Sequence, residues 1–323
     1  RVEEELSLEA FIRNRLGSDS ATLAQNCSAY SVRYSSRPGR EGFKTCIKDM
    51  RNRPYIPGTE IKGAIRTSLL FTLIYDARNY NLFKDEITRV RNFLRQPKEK
   101  GFKKKIEKRF EEVSKKMERK LIRGRKGDAK FDFLKLVQVS DTTPARVEDM
   151  RVELTWAHGS GPRTRTWMET IGKETEVNFQ MNVAEDGWLL GKLGLDRLSE
   201  WLSISKILEA CFQRSKAILE EERDYFRGNN PITRVITELE GENQLRSPLL
   251  RLGAGQGFLS TTFDLHIKDK DEQLYRDVIG RGVPFVRGWR NVEPENFPKT
   301  RRAITDERGN PINLLGWVKI EEG

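Results

Sequence analysis

The chain has 323 residues, of which 37% are hydrophobic and 33% charged, and it carries a formal net charge of +11. That length can bury a large core in one domain or two, and the cationic excess calls for a polyanionic partner: nucleic acid first, otherwise an acidic membrane surface or an acidic protein. No apolar run approaches the roughly 20 residues that span a bilayer; no secretory signal is visible, although the chain starts at Arg1 rather than Met and further residues can precede it.

From the amino end, Val2 to Leu16 reads as a short helix with Leu8, Phe11, Ile12 and Leu16 on one side, and 17–26 as a polar connection. Tyr30-Ser-Val-Arg-Tyr34 alternates as a strand does, and a loop through Pro38-Gly39 follows. Phe43 to Met50 leads into Ile56-Pro-Gly-Thr-Glu-Ile-Lys-Gly-Ala-Ile-Arg66. There Pro57-Gly58 forms a turn and Thr59 stands where an N-cap would. Ile61, Ile65 and Leu69 recur every fourth residue, which predicts an amphipathic helix to about Tyr75. Lys62 and Arg66 share another face of that helix, close to an N-terminus that already favours anions. Gly58 and Gly63 would admit a phosphate backbone or a neighbouring strand. A capped surface helix with solvated cations explains the same spacing.

Residues 92–130 are the most basic part, yet Ile106, Phe110, Val113, Met117 and Leu121 keep a helical apolar stripe, so a packed helix presents its lysines outward, to RNA or to solvent. Phe131 to Val139 fits a strand or a short helix. Val139-Ser-Asp-Thr-Thr-Pro144 reads as a turn in which Ser140 and Asp141 fold back onto the backbone. Met150, Val152, Leu154 and Trp156 alternate, as do Thr175, Val177, Phe179, Met181 and Val183, and both runs predict half-buried strands. Between them His158 to Arg165 is a glycine-rich basic loop. Helical spacing returns from Ile204 through Ile207, Leu208, Cys211 and Ile218, while Phe263 to Ile267 alternates again. The element order predicts an α+β fold with antiparallel sheets.

Leu250-Arg-Leu-Gly-Ala-Gly-Gln-Gly-Phe-Leu-Ser260 spaces Gly253, Gly255 and Gly257 on alternate residues. It is neither a dinucleotide fingerprint nor a P-loop. Such a loop lets a backbone lie against a phosphodiester, or it is a tight structural turn. Cys27, Cys46 and Cys211 lie far apart with no Cys-x-x-Cys, which argues against a zinc ribbon or a disulfide framework and for a cytoplasmic protein. His158 and His266 are equally isolated, so neither a metal nor a cofactor is expected.

The Ile56–Arg66 motif closely resembles the Ile-Pro-Gly-Ser-Ser-(Leu/Ile)-Lys-Gly-Ala-(Leu/Ile)-Arg signature of the RAMP superfamily, the RNA-binding proteins of CRISPR effector complexes. Val139-Ser-Asp141, Leu252 to Ser260, Phe297-Pro-Lys-Thr-Arg-Arg-Ala303 and Leu315-Gly-Trp-Val-Lys-Ile320 extend the likeness toward the fifth-subunit family of the Csm (type III-A) effector. The strand and Thr-Pro-x-His-Ile-Gly-like loop with which that family usually opens have no match here. The resemblance implies ferredoxin-like folds: an N-terminal region 1–145 with a basic helical insertion at about 92–130, and a C-terminal region 146–323 carrying the glycine loop 253–257. It further implies a cytoplasmic antiviral-defence protein that binds crRNA near its 3′ portion. Such a protein contacts RAMP backbone subunits and the small subunit, and supports crRNA maturation by recruiting a nuclease rather than by cutting. The RNA-contact set this gives is Gly58, Thr59, Lys62, Gly63, Arg66, Arg251, Gly253, Gly255, Gln256 and Gly257, with Lys299, Arg301 and Arg302 as a further basic group. No catalytic residue is expected. The alternative is a metal-independent crRNA-processing endoribonuclease, for which His158 and Asp141 are the candidate acid–base groups.

Overall fold

In the computed structural model the residues described are 20–35, 43–97, 99–124, 128–159, 164–184, 187–262, 264–288, 297–298 and 300–322, with single residues at 14, 17 and 293. The helix expected over Val2–Leu16 lies outside them except for Asn14, as do the Pro38-Gly39 loop and most of the loop after His158.

The helices stand where the apolar stripes put them. After α1 (Ser20–Cys27), the signature helix α2 (Gly58–Ile74) buries Ile61, Ile65, Leu69 and Phe71. Its N-cap position is Pro57 rather than Thr59, and no local side chain caps it. The cap comes from 83 residues away, where the Asp141 carboxylate accepts the Gly58 N–H at 2.7 Å. α3 (Ala77–Leu94) is capped by Asp76, which accepts from the N–H groups of Arg78 and Asn79. α4 (Phe102–Leu121) begins after Gly101 at φ +82° and buries Ile106, Val113, Met117 and Leu121 of the expected stripe together with Phe102, while Phe110 packs partly buried against the core. After the short α5 (Gly187–Leu193), the long α6 (Ile204–Tyr225), capped by Ser203, packs along α2, and α7 (Asn230–Glu242) opens with Asn229 as cap and Pro231 in its first turn.

The largest sheet runs β2 (Phe43–Lys44), β5 (Arg165–Ile171), β4 (Met150–Gly159), β8 (Thr300–Thr305), β9 (Pro311–Leu314), and β1 (Arg33–Tyr34) also pairs with β4. The β4–β5, β4–β8 and β8–β9 ladders are antiparallel, whereas the two-residue strands β1 and β2 join in parallel. Of the Tyr30–Tyr34 expectation, only the last two residues pair. Two short antiparallel pairs complete the fold: β3 (Val137–Val139) with β6 (Met181–Val183), and β7 (Leu249–Arg251) with β10 (Trp317–Lys319). The strand expected over 175–183 is therefore mostly irregular. Residues 178–180 run beside 140–143, but side-chain oxygens carry half the bonding: Thr143 Oγ1 and Ser140 Oγ accept the N–H groups of Asn178 and Gln180.

The alternation at Phe263–Ile267 is also overturned, since Leu265–Lys270 is helical (Phe263 lies outside the described residues). Leu265, His266 and Ile267 are all buried, and a helical turn immersed on every side shows no amphipathic period to read. One core cluster runs from Ile61 on α2 through α3, α4 and α6 to Ile320, and the sheet draws strands from both sides of residue 145. The result is a mixed α/β fold with mainly antiparallel sheets.

Candidate nucleic-acid interface

Gly58 is glycine for a packing reason. A Cβ there would stand 2.5 Å from the Ser140 carbonyl oxygen, so the helix start can lie against the end of β3 only without a side chain. Gly63 differs: a Cβ would meet nothing within 4 Å, and the residue is exposed. Thr59 is exposed beside it.

The glycine-rich loop leaves β7 and enters α8 (Phe258–Thr261), with Gly253, Gly255 and Gly257 at φ +76°, +91° and +83°. All three occupy the left-handed region that L side chains rarely adopt, so the alternating glycines are a backbone requirement. The loop reaches α2 directly. Glu60 Oε1 accepts the Gly253 N–H at 2.9 Å and the Gln256 side-chain amide at 3.4 Å. Two motifs separated by 193 positions thus form one surface.

The cations divide into two groups. Lys62 is half-buried, and burial lowers its ammonium pKa against the opposing pull of Asp132; among the described residues it makes no ion pair. Arg302 donates to Thr155 Oγ1 at 3.0 Å and Thr164 Oγ1 at 3.2 Å, and its methylenes lie against Gly255. These partners are uncharged and, among the described residues, no carboxylate pairs with Arg302, so Lys62 and Arg302 suit an incoming phosphate.

The other arginines are committed elsewhere. Arg66 bridges Asp132 at 2.9 Å and Glu118 at 3.2 Å, and Arg123 shares Glu118 at 2.6 Å, which ties α2 to α4. Arg251 and Arg301, expected as RNA contacts, are corrected by their burial: their side chains are 1% and 4% exposed. Both guanidiniums reach Glu222 Oε1 on α6 at 3.0 Å. A charge buried with its counter-ion is unavailable to a polyanion. Sequence reading missed Glu222 and Glu60, the two acids that organise these groups. Arg251 between leucines was the legible warning. Lys299 lies outside the described residues.

The acid–base candidates have structural positions. Asp141 caps α2. His158 belongs to β4 rather than to the loop, in register with Arg301, and its carbonyl accepts the Tyr225 hydroxyl at 2.7 Å. His266 is fully buried, its Nε2 donates to the Phe71 carbonyl at 2.6 Å, and its ring stacks on Phe71 at 4.1 Å. Burial depresses its pKa to about 4. Among the described residues no cluster of three metal-ligating side chains occurs, and no helix is long and apolar enough to cross a membrane.

A RAMP signature helix seated against a glycine loop defines the class. The chain matches the RAMP superfamily over residues 16–260 and belongs to it. Within that class it is similar to the "CRISPR system Cms protein Csm5" of Methanocaldococcus jannaschii, 25% identical over 306 residues, covering 86% of this chain and 65% of that protein. The protein of the same name from Mycobacterium tuberculosis (strain CDC 1551 / Oshkosh) is 23% identical over 241 residues, 70% of this chain and 52% of that one. This chain therefore spans between about half and two thirds of the length of these curated relatives. Two solved structures share the fold. A chain of a cryo-EM Csm–crRNA–target RNA ternary complex of a type III-A CRISPR-Cas system has TM-score 0.64 at 20% identity, covering 97% of this chain and 86% of that one. The crystal structure of T. onnurineus Csm5 has TM-score 0.60 at 19% identity, covering 92% and 79%.

Proposed function

We propose that this chain is a non-catalytic crRNA-binding RAMP subunit of a cytoplasmic type III-A CRISPR effector. It caps the 3′-end side of the crRNA and is needed for 3′ maturation and assembly, with RAMP backbone subunits, the small subunit and a recruited nuclease as partners. The observation that carries the reading is the Glu60 junction, which brings the signature helix and the glycine loop into one surface. The names of the similar proteins support it. In this reading region 1–145 supplies the signature helix and a basic insertion, and region 146–323 supplies the glycine loop. Lys62, Gly63, Thr59, the backbone of 253–257 and Arg302 receive the RNA, and Lys299 is proposed as a further contact from the sequence alone. Gly58 and Arg66 shape the surface rather than contact it.

The test is a salt titration of crRNA binding by the parent and by Lys62→Ala. Loss of one phosphate contact to single-stranded RNA flattens the log–log slope by about 0.7. Incubating repeat RNA with the chain in EDTA should leave the RNA intact. Identical slopes would remove Lys62 from the interface, and a discrete cleavage product would replace the scaffold reading with an endoribonuclease.

A further inference from the structure

Glu60 is a carboxylate inside a surface that is to receive phosphates, and charge alone would disfavour it there. Its geometry gives a different reason for its presence. It lies in the first turn of α2, where an acid is favoured by the helix dipole and held on a rigid element. From there Oε1 accepts from both the Gly253 N–H and the Gln256 amide, and that amide also donates to the Gly253 carbonyl at 2.9 Å.

The outer part of the loop is open to solvent at Gly253, Ala254 and Gly257. Among the described residues a Cβ at Gly253 or Gly257 would meet nothing within 4 Å, while one at Gly255 would meet the side chains of Leu315 and Arg302. Three glycines in five residues carry the largest backbone entropy to lose on ordering. An anchor on α2 removes that cost before RNA arrives, and preorganisation of this kind raises affinity without a contact of its own.

We propose that Glu60 is a positioning residue for RNA binding: its acceptor oxygen holds the 253–257 loop in its receiving shape, while its negative charge opposes the RNA. This rests on the RNA-interface reading above. The substitution that separates the two effects is Glu60→Gln, which keeps an Oε1 acceptor and removes the charge; Glu60→Ala removes both.

The experiment measures amide hydrogen exchange at Gly253 and the affinity for a labelled single-stranded crRNA oligonucleotide, in the full chain, with melting curves to show that each variant stays folded. In Glu60→Ala, exchange at Gly253 should rise about tenfold or more, since hydrogen bonds to a charged group are lost. Its RNA affinity should drop by a similar factor. Glu60→Gln should exchange as the parent does and bind RNA equally or up to about fivefold more tightly, the range for one partly exposed charge. Parent-like exchange and affinity in Glu60→Ala would overturn the proposal, and so would Glu60→Gln binding as weakly as Glu60→Ala. If the parent chain did not bind the oligonucleotide, the interface reading itself would fall, and with it the RNA half of this inference; exchange at Gly253 would still decide the anchoring half.

Discussion

Replacing Glu222 by Gln tests the reassignment of Arg251 and Arg301 from RNA contacts to core. Glu222 on α6 is the shared counter-ion of both guanidiniums, and its side chain is 3% exposed. Neutralising it leaves two buried positive charges without their common carboxylate. Arg301 keeps Glu221 at 3.3 Å and the Pro298 carbonyl at 2.9 Å, while Arg251 keeps the Leu315 carbonyl and Ser260 Oγ. Removing one partner of a buried pair costs about 3–5 kcal/mol, and these residual bonds argue for the lower end. Unfolding entropy for a chain of 323 residues is on the order of 0.7 kcal/mol per degree, so the melting temperature should fall by ~4–7 °C. Thermal melts followed by near-UV circular dichroism read this directly. RNA affinity and its salt slope, measured well below the transition, should stay those of the parent. A melting temperature within a degree of the parent, together with a flattened salt slope, would refute the reasoning and return both arginines to the RNA surface.

Gly58→Ala should lower stability by about 1–3 kcal/mol in chemical denaturation, because the new Cβ would press on the Ser140 carbonyl at 2.5 Å. Gly63→Ala should instead raise stability by roughly 0.5–1 kcal/mol, as Ala for Gly does in an open helix interior; if it also weakens RNA binding, the RNA backbone passes over Gly63, and a loss of stability would contradict the packing account. His266 is held neutral, with a folded pKa near 4 against about 6.5 unfolded. Between those values the unfolded chain binds a proton that the folded chain refuses, so stability should decline by about 3 kcal/mol as pH falls from 6.5 to 4. His266→Phe should flatten that part of the pH profile, and an unchanged profile would show that the ring is not buried as described.

What was legible came from features with a local period. The α2 and α4 stripes, the β4 alternation and the α6 spacing each repeat within one element, and the structure keeps them. What was not legible depends on partners far along the chain. β1 and β2 are two residues each and exist only because β4 and β5 lie beside them. The cap of α2 is Asp141, which no window around Thr59 contains. Basic residues mislead most, since a sequence gives the charge but not its counter-ion. In β8 the burial alternates, so of the adjacent pair Arg301 points inward to Glu222 while Arg302 faces the glycine loop. A strand reading of 300–305 would have forced that choice, because adjacent strand residues face opposite ways.

The claim that the joined α2–glycine-loop surface receives RNA is tested most directly by ultraviolet crosslinking of bound crRNA to the full chain, with the crosslinked peptides mapped by mass spectrometry. The account predicts crosslinks within 58–66 and 252–258, and at Arg302 rather than Arg301. Crosslinks confined to the outward lysines of α4, or to any face away from Glu60, would contradict it.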